Sequence, residues 1–282
     1  MNTYRWIYLI VIGMTLMGQT SPSPQLKTKT IKEKLALVQL KKAAESGDPK
    51  AMYQLGINAD DPKEAALWTH KSAEAGYGLA MVTVADLQFR TRSRDRQLPQ
   101  EERKSAAASY RLAVEKAFPK VLEWANRGDL ESMCSIGTGG YTHYDLTSPE
   151  EEMKWLRRAA EGGHPIATLR LGEILLLDTS DTLKAEGFRW IRKSADGGDF
   201  HAMLEMARKY THGFPSIGLV PDPDKAMVWI NKAIAISGEP EGEFIPTHGL
   251  VDPYEAARQR GEKPRPKIEK PKAAPPIPTE RK

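Results

Sequence analysis

Six histidines and one cysteine are the residues of this 282-residue chain best suited to metal or nucleophilic chemistry. Their spacing supports neither. His70, His143, His164, His201, His212 and His248 are scattered, and no two stand at the i, i+4 separation that pairs ligands on one helix. The single Cys134 excludes an intramolecular disulfide framework, an iron–sulfur cluster and a multi-cysteine zinc site. It follows Met133 in a helix-forming stretch and reads as a buried structural thiol. No serine sits in a G-x-S-x-G elbow. Gly137, Gly139 and Gly140 follow a helical stretch rather than a strand, the wrong setting for a phosphate loop. Glu150, Glu151 and Glu152 open a helix, where carboxylates favour the positive end of its dipole. The expectation is a protein that is not an enzyme and that takes no cofactor or metal.

Three features point instead to binding. Arg90, Arg92, Arg94 and Arg96 alternate through the stretch FRTRSRDRQLPQEER, read as an inserted loop with a basic strip suited to carboxylates or phosphates. The alternative is a solvated loop without a partner. Tyr141 and Tyr144, in GGYTHYDLTS, offer aromatic anchors of the kind enriched at interfaces, unless they are tucked against the neighbouring helices. The third feature is the inner surface of the repeat array set out below, a use implied only by the family resemblance given there.

The ends of the chain differ from its middle. Arg5 precedes thirteen largely apolar residues, Trp6 to Gly18, which suits the hydrophobic region of a secretory signal and is short for a spanning helix. Residues 1–20 are therefore read as a signal peptide, with an uncleaved anchor as the alternative, and residues 21–34 as a basic arm. The periplasm is the expected location, with no stable membrane insertion after cleavage and no nucleic acid as partner. Residues 261–282 hold six prolines and few large apolar side chains, and read as a disordered Pro/Lys-rich tail. The net charge of +4 is unevenly spread. With Arg5 in the signal, +3 in Gln19–Lys34 and +5 in Tyr254–Lys282, the middle of the chain is left at −5. An acidic body with basic ends favours a basic partner for the body.

That body repeats itself. A tryptophan stands eight residues before a glycine at Trp68 and Gly76, Trp155 and Gly163, and Trp190 and Gly198; Trp229 has Ser237 at that place. The stretches WTHKSAEAG, WLRRAAEGG, WIRKSADGG and WINKAIAIS are alike. After the glycine, small and apolar residues recur at fixed offsets: Ala51, Leu55 and Gly56 after Gly47, Ser132, Ile136 and Gly137 after Gly128, Ala167, Leu171 and Gly172 after Gly163. Such spacing lines one helical face with residues that let helices approach. Each unit reads as a helical hairpin: glycine ends one helix, and Asp48, Asp129 or Asp199 caps the next. The period between Gly128, Gly163 and Gly198 is 35 residues. The Gly76 unit departs from it, with the insert, Ser109 at the tryptophan position, and Ala117–Arg127 read as a truncated repeat.

These residues resemble the Sel1-like repeat family, related to the tetratricopeptide repeats, over about Leu35 to Ser237. The resemblance implies an all-α fold, an α/α solenoid of stacked hairpins at 35–237, followed by a C-terminal cap segment at 238–260. It also implies function by protein binding. Exported members include periplasmic immunity proteins that neutralise a secreted toxin, notably phospholipase effectors of type VI secretion. The expectation is such an immunity protein, monomeric alone, whose partner is a toxic phospholipase-like effector. The alternatives are a periplasmic scaffold or regulator of envelope signalling and, from another class, an envelope enzyme.

Overall fold

The computed structural model describes residues 31–95 and 97–262, and these form thirteen α-helices and two short 3-10 turns. The segment expected to be a signal peptide, most of the expected basic arm and most of the expected tail lie outside the described residues. The chain divides into two compact units, residues 1–171 and 172–282. In the first unit, α1 (Ile31–Glu45), α2 (Pro49–Asn58), α3 (Pro62–Glu74), α4 (Gly78–Arg94), α5 (Gln100–Asn126), α6 (Leu130–Gly137) and α7 (Pro149–Glu161) each pack on the next. Helix α8 (Pro165–Leu176) straddles the division. In the second unit, α9 (Asp181–Asp196) packs on α10 (Phe200–His212), α10 on α11 (Pro223–Ser237), and the short α12 (Glu241–Thr247) and α13 (Pro253–Gln259) close against α11. The expected all-α architecture of helical hairpins is what the chain adopts.

The hairpin turns follow from local chemistry. Gly47, Gly76, Gly128, Gly163 and Gly198 all have φ between +87° and +97°, a conformation a side chain would strain. The residue after each returns its N–H to a carbonyl five positions back, as Asp48 to Ala43, Tyr77 to Ser72, Asp129 to Trp124, His164 to Ala159 and Asp199 to Ser194, at 2.9–3.1 Å. That bond satisfies a carbonyl left over at the helix end. The same residue then opens the next helix: Asp48, Asp129 and Asp199 accept from N–H groups two or three residues on. At the other turn of the hairpins, Ser148 and Glu151 form a reciprocal capping box ahead of α7.

Packing explains the repeated sequence. Leu156 and Ile191, each directly after its tryptophan, are fully buried, and Thr69, in the same place after Trp68, is buried as well. They meet the small residue near the end of the preceding helix. A Cβ at Gly56 would collide with Thr69, at Gly137 with the Leu156 backbone, and at Gly172 with Ile191. The tryptophans lie beside this crossing, three of them half-buried and Trp229 buried. The residue three positions on lays its charge over each ring: Lys71 over Trp68 at 4.7 Å, Arg158 over Trp155 at 4.3 Å, Lys193 over Trp190 at 4.6 Å, Lys232 over Trp229 at 4.0 Å. The cation and its stem cover ring surface that would otherwise face water. In the last hairpin the capping glycine stands one place later than elsewhere, at Gly238 with φ +72°.

The Gly76 unit is not a repeat followed by a truncated one. Helix α5 is a single 27-residue helix through Ala117–Arg127, with Pro119 inside it. Its buried residues Ala106, Val114, Ala117, Val121 and Ala125 keep helical spacing across the proline, so one apolar face runs without a break. Gly78, at the start of α4, lets that helix approach the α5 backbone at Lys120 and Val121. Trp124 serves the turn rather than the hairpin crossing, its Nε1 donating to the Gly76 carbonyl at 3.4 Å and its ring meeting Tyr77 edge-on.

If the crossing is what the small residues are for, Gly137→Ala should lower the unfolding free energy by about 1–3 kcal/mol through overpacking. Gly140→Ala, where an added Cβ meets nothing within 4 Å, should leave it unchanged. Parallel thermal and urea denaturation of the two variants makes the comparison.

Candidate binding site

In the first unit, three first helices of the hairpins are tied together by one carboxylate. Asp129, which caps α6, is buried; its Oδ2 accepts from the Ser132 N–H at 3.0 Å, the Ser132 hydroxyl at 2.6 Å and the Tyr77 hydroxyl at 2.9 Å. Lys50 of α2 reaches its Oδ1 at 2.6 Å. Burial opposes the charge, but the bonds from Lys50, Ser132 and Tyr77 outweigh it and hold Asp129 below the usual carboxylate range. Tyr77 is fully buried, and burial together with Asp129 pushes its hydroxyl far upward. Tyr53 of α2 packs on Tyr77 and shares a hydrogen bond with Thr83 of α4 at 3.3 Å.

This frame carries an aromatic hollow. It has a volume of about 220 Å³ and lies between Val82 of α4, Tyr110 and Val114 of α5, Ser135 of α6 and the following loop, Thr138 to Tyr144. Tyr141 is buried, with its ring 4.8 Å from that of Phe118 and its hydroxyl 3.2 Å from Ser135 Oγ. Tyr144 is half-buried and meets Tyr110 edge-on at 6.2 Å, while Tyr110 stacks on Phe89 at 5.2 Å. Burial raises the pKa of all three tyrosine hydroxyls, so each is a neutral donor and acceptor at physiological pH. The loop is held from below: buried Glu152 accepts from the Thr142 N–H at 3.0 Å. Asp145 takes φ +59°, the one non-glycine left-handed residue among those described.

The sequence reading placed these residues only in part. Tyr141 and Tyr144 do come together, but Tyr141 is an internal support and Tyr144 alone presents a ring beside solvent. Tyr110 and Phe89, which complete the aromatic row, were missed. The arginines do not form a loop strip. Arg90, Arg92 and Arg94 belong to the last turns of α4, where alternate positions diverge around the helix instead of lining up. Arg90 pairs with Asp86 at 2.7 Å, and Arg92 borders a shallow hollow with Leu87, Gln88 and Thr91. Arg96 lies outside the described residues. Trp68, Gly76, Trp155, Gly163, Trp190, Gly198 and Trp229 all serve the hairpin architecture.

A second juxtaposition went unseen in the sequence. His164 occupies the capping place that aspartate fills elsewhere, its Nδ1 accepting from the Ala167 N–H at 3.3 Å. It is buried, and its Nε2 stands 3.1 Å from Glu131 Oε2. Burial works against a charged imidazole, but contacts with the buried Cys134 and with Glu131 outweigh it and push the pKa up to about 9. The same contact holds Glu131 below its usual range. Among the described residues, no group of three or more His, Cys, Asp or Glu side chains has the geometry to hold a metal. None of the described helices is long and apolar enough to cross a membrane.

The Sel1 repeat family model matches residues 49–77, 153–164, 165–199 and 200–235, and passes over the long α4–α5 hairpin and α6. Among solved structures, a Sel1 repeat protein from Oxalobacter formigenes is 18% identical with a TM-score of 0.47, covering 79% of this chain and 96% of its own. A protective antigen of uropathogenic Escherichia coli, described as displaying an SLR fold, is 22% identical with a TM-score of 0.43, over 88% of this chain and about half (53%) of that one. An immunity protein from Pseudomonas aeruginosa is 16% identical with a TM-score of 0.42, over 73% and 75% of the two chains. No curated protein matches the chain.

The His164–Glu131 pair should be visible in the pH dependence of stability. Below about pH 6.5 the imidazole is protonated in both folded and unfolded chains, and the pair contributes fully. Between there and about 9 only the folded state keeps the proton, so stability falls. Glu131 is 46% exposed, which limits the loss to about 1–2 kcal/mol. Urea titrations from pH 6 to 10 should show this decline in the native chain and not in His164→Asn, which keeps a capping oxygen but cannot titrate.

Proposed function

Because this chain belongs to the Sel1-repeat family, we propose that it works by binding a protein partner and not by turning over a substrate. The observation that carries this reading is the hollow of the first unit. Its aromatic side chains are fixed by ring contacts and hydrogen bonds before any partner arrives, so little side-chain freedom is lost on binding. Tyrosine on such a surface contributes large contact area and a polar tip, the usual make-up of an interface anchor.

The finer reading is a periplasmic immunity protein that binds and neutralises a secreted toxic effector of the phospholipase type. It is supported by the signal-like segment at 1–20 and by an acidic repeat body suited to steering a basic partner. An envelope scaffold would share the binding chemistry but not protection from a toxin.

Co-expression with the product of the adjacent gene, directed to the periplasm, tests the finer reading: growth should be rescued by this chain. Loss of toxicity without complex formation, or an adjacent product that is harmless, would refute it. The binding site is tested separately. Tyr110→Ala combined with Tyr144→Ala should weaken complex formation by about 10- to 100-fold, the range for interface anchors, while circular dichroism stays unchanged. An intact mass from the periplasmic fraction should show the chain shortened by about the first twenty residues.

A further inference from the structure

Between His212 and Asp222 the sequence GFPSIGLVP carries no charge, and six of its residues are Phe, Ile, Leu, Val or Pro. The segment joins α10 to α11 as a closed loop. Phe214 and Leu219 exchange both backbone hydrogen bonds, at 2.7 and 3.1 Å, around the 3-10 turn Pro215–Ile217. That turn packs on α9, and the Lys209 ammonium lies 4.4 Å from the Phe214 ring centre, which accounts for part of the apolar surface. It does not account for exposed Pro215 or for Val220. At 72%, Val220 is the most exposed large apolar side chain among the described residues. The loop is also poor in free donors. Pro215 and Pro221 have no N–H, and those of Phe214, Ile217, Gly218 and Leu219 are satisfied within the loop. A segment leaves water for an apolar medium at low cost only when its backbone is already paired.

A cluster of positive charge is rooted at the foot of this loop. Helix α13 closes on α10 and α11, and Arg260 Nη1 donates to the Thr211 carbonyl at 2.9 Å, two residues before Gly213. The chain therefore leaves α13 beside the loop. The sequence that follows, Lys263 to Lys272, holds five Lys or Arg and one Glu in ten residues. The carboxylates adjoining loop and tail in the sequence are engaged: Asp222 with Lys225 at 3.0 Å, Asp224 with the Tyr254 hydroxyl at 3.0 Å, Glu262 with Arg260 at 2.6 Å. Residues 172–253 carry thirteen acidic and eight basic side chains, and residues 254–282 carry four and nine. The second unit is thus neutral as a whole but polarised, and an anionic surface would draw its basic part inward.

We propose that the 213–221 loop and the basic segment after Glu262 dock this unit on an anionic phospholipid surface. The exposed apolar side chains enter the headgroup boundary, and the lysines and arginines meet the phosphates. Shallow apolar insertion and a polybasic segment are each weak, and together they make a peripheral anchor. A groove on a protein is a poorer match, because the exposed side chains are aliphatic, whereas protein anchors are mostly Trp, Tyr and Arg. The loop belongs to the second unit and the aromatic hollow to the first, so this inference goes beyond the protein-binding reading and does not depend on it.

The test is sedimentation of the full chain with vesicles of phosphatidylcholine alone or mixed with phosphatidylglycerol. The mixed vesicles should be bound about tenfold or more tightly, and added salt should reduce the difference. Val220→Asn should weaken binding about three- to tenfold and Val220→Phe should tighten it by a similar factor, with circular dichroism unchanged. Lys263→Gln, Arg265→Gln, Lys267→Gln, Lys270→Gln and Lys272→Gln together should weaken it more than about tenfold and remove the preference for phosphatidylglycerol. No binding to either vesicle, or equal binding of the native chain to both, would overturn the proposal. Vesicle binding that neither the Val220 nor the tail variants change would overturn it as well, placing the lipid contact elsewhere in the chain. If Val220→Asn weakens the complex with a protein partner and leaves vesicle binding unchanged, the loop is a protein contact and the lipid assignment fails.

Discussion

Two helices of one hairpin can share a core only if their backbones come close, and everything regular in this chain follows from that approach. At Gly56, Gly137 and Gly172 there is no room for a side chain, because the residue after the tryptophan of the second helix presses into that space. Once the crossing is fixed, the tryptophan must lie to one side of it, half in water. The cation three residues on then has a ring to cover. The turn beyond must reverse the chain within two residues, which demands a left-handed glycine and an acceptor for the next helix's first N–H groups. The repeated motif is thus one mechanical solution written four times.

That logic is why so much of the fold was legible. Glycine, capping aspartate, small residue and tryptophan each act on neighbours a few positions away, so their spacing alone carries the meaning. The long α4–α5 hairpin was less legible because its evidence is negative. The tryptophan is missing from its place, a proline stands inside a helix, and a charged insert looks like a loop. The apolar spacing from Ala106 to Ala125 held the answer, but only if Pro119 was allowed to sit within it. The hollow was half legible. Tyr141 and Tyr144 belong to one loop, but Tyr110, backed by Phe89, reaches it from a helix whose pairing the insert had obscured. His164 did leave a trace: it replaces an aspartate that recurs at Asp48, Asp129 and Asp199, one repeat beyond Glu131.

Charge is handled differently inside and outside this frame. Asp129 is buried yet fully engaged by lysine, tyrosine and serine, so it joins three helices without an uncompensated charge. The i, i+3 and i, i+4 pairs along the helix surfaces are exposed and contribute little each. The acidic excess that remains therefore acts on what approaches from outside more than on the stability of the chain itself.

An array of similar hairpins faces a hazard during folding, because a helix can dock on the wrong copy of its partner and leave the chain out of step. Helix α5, at 27 residues, matches no other helix in the described chain, and α4, at 17, is the next longest. Helix α5 cannot be exchanged for a helix of another repeat without leaving apolar surface bare. The odd hairpin thus sets the count for its neighbours, as an irregular tooth sets the position of a key.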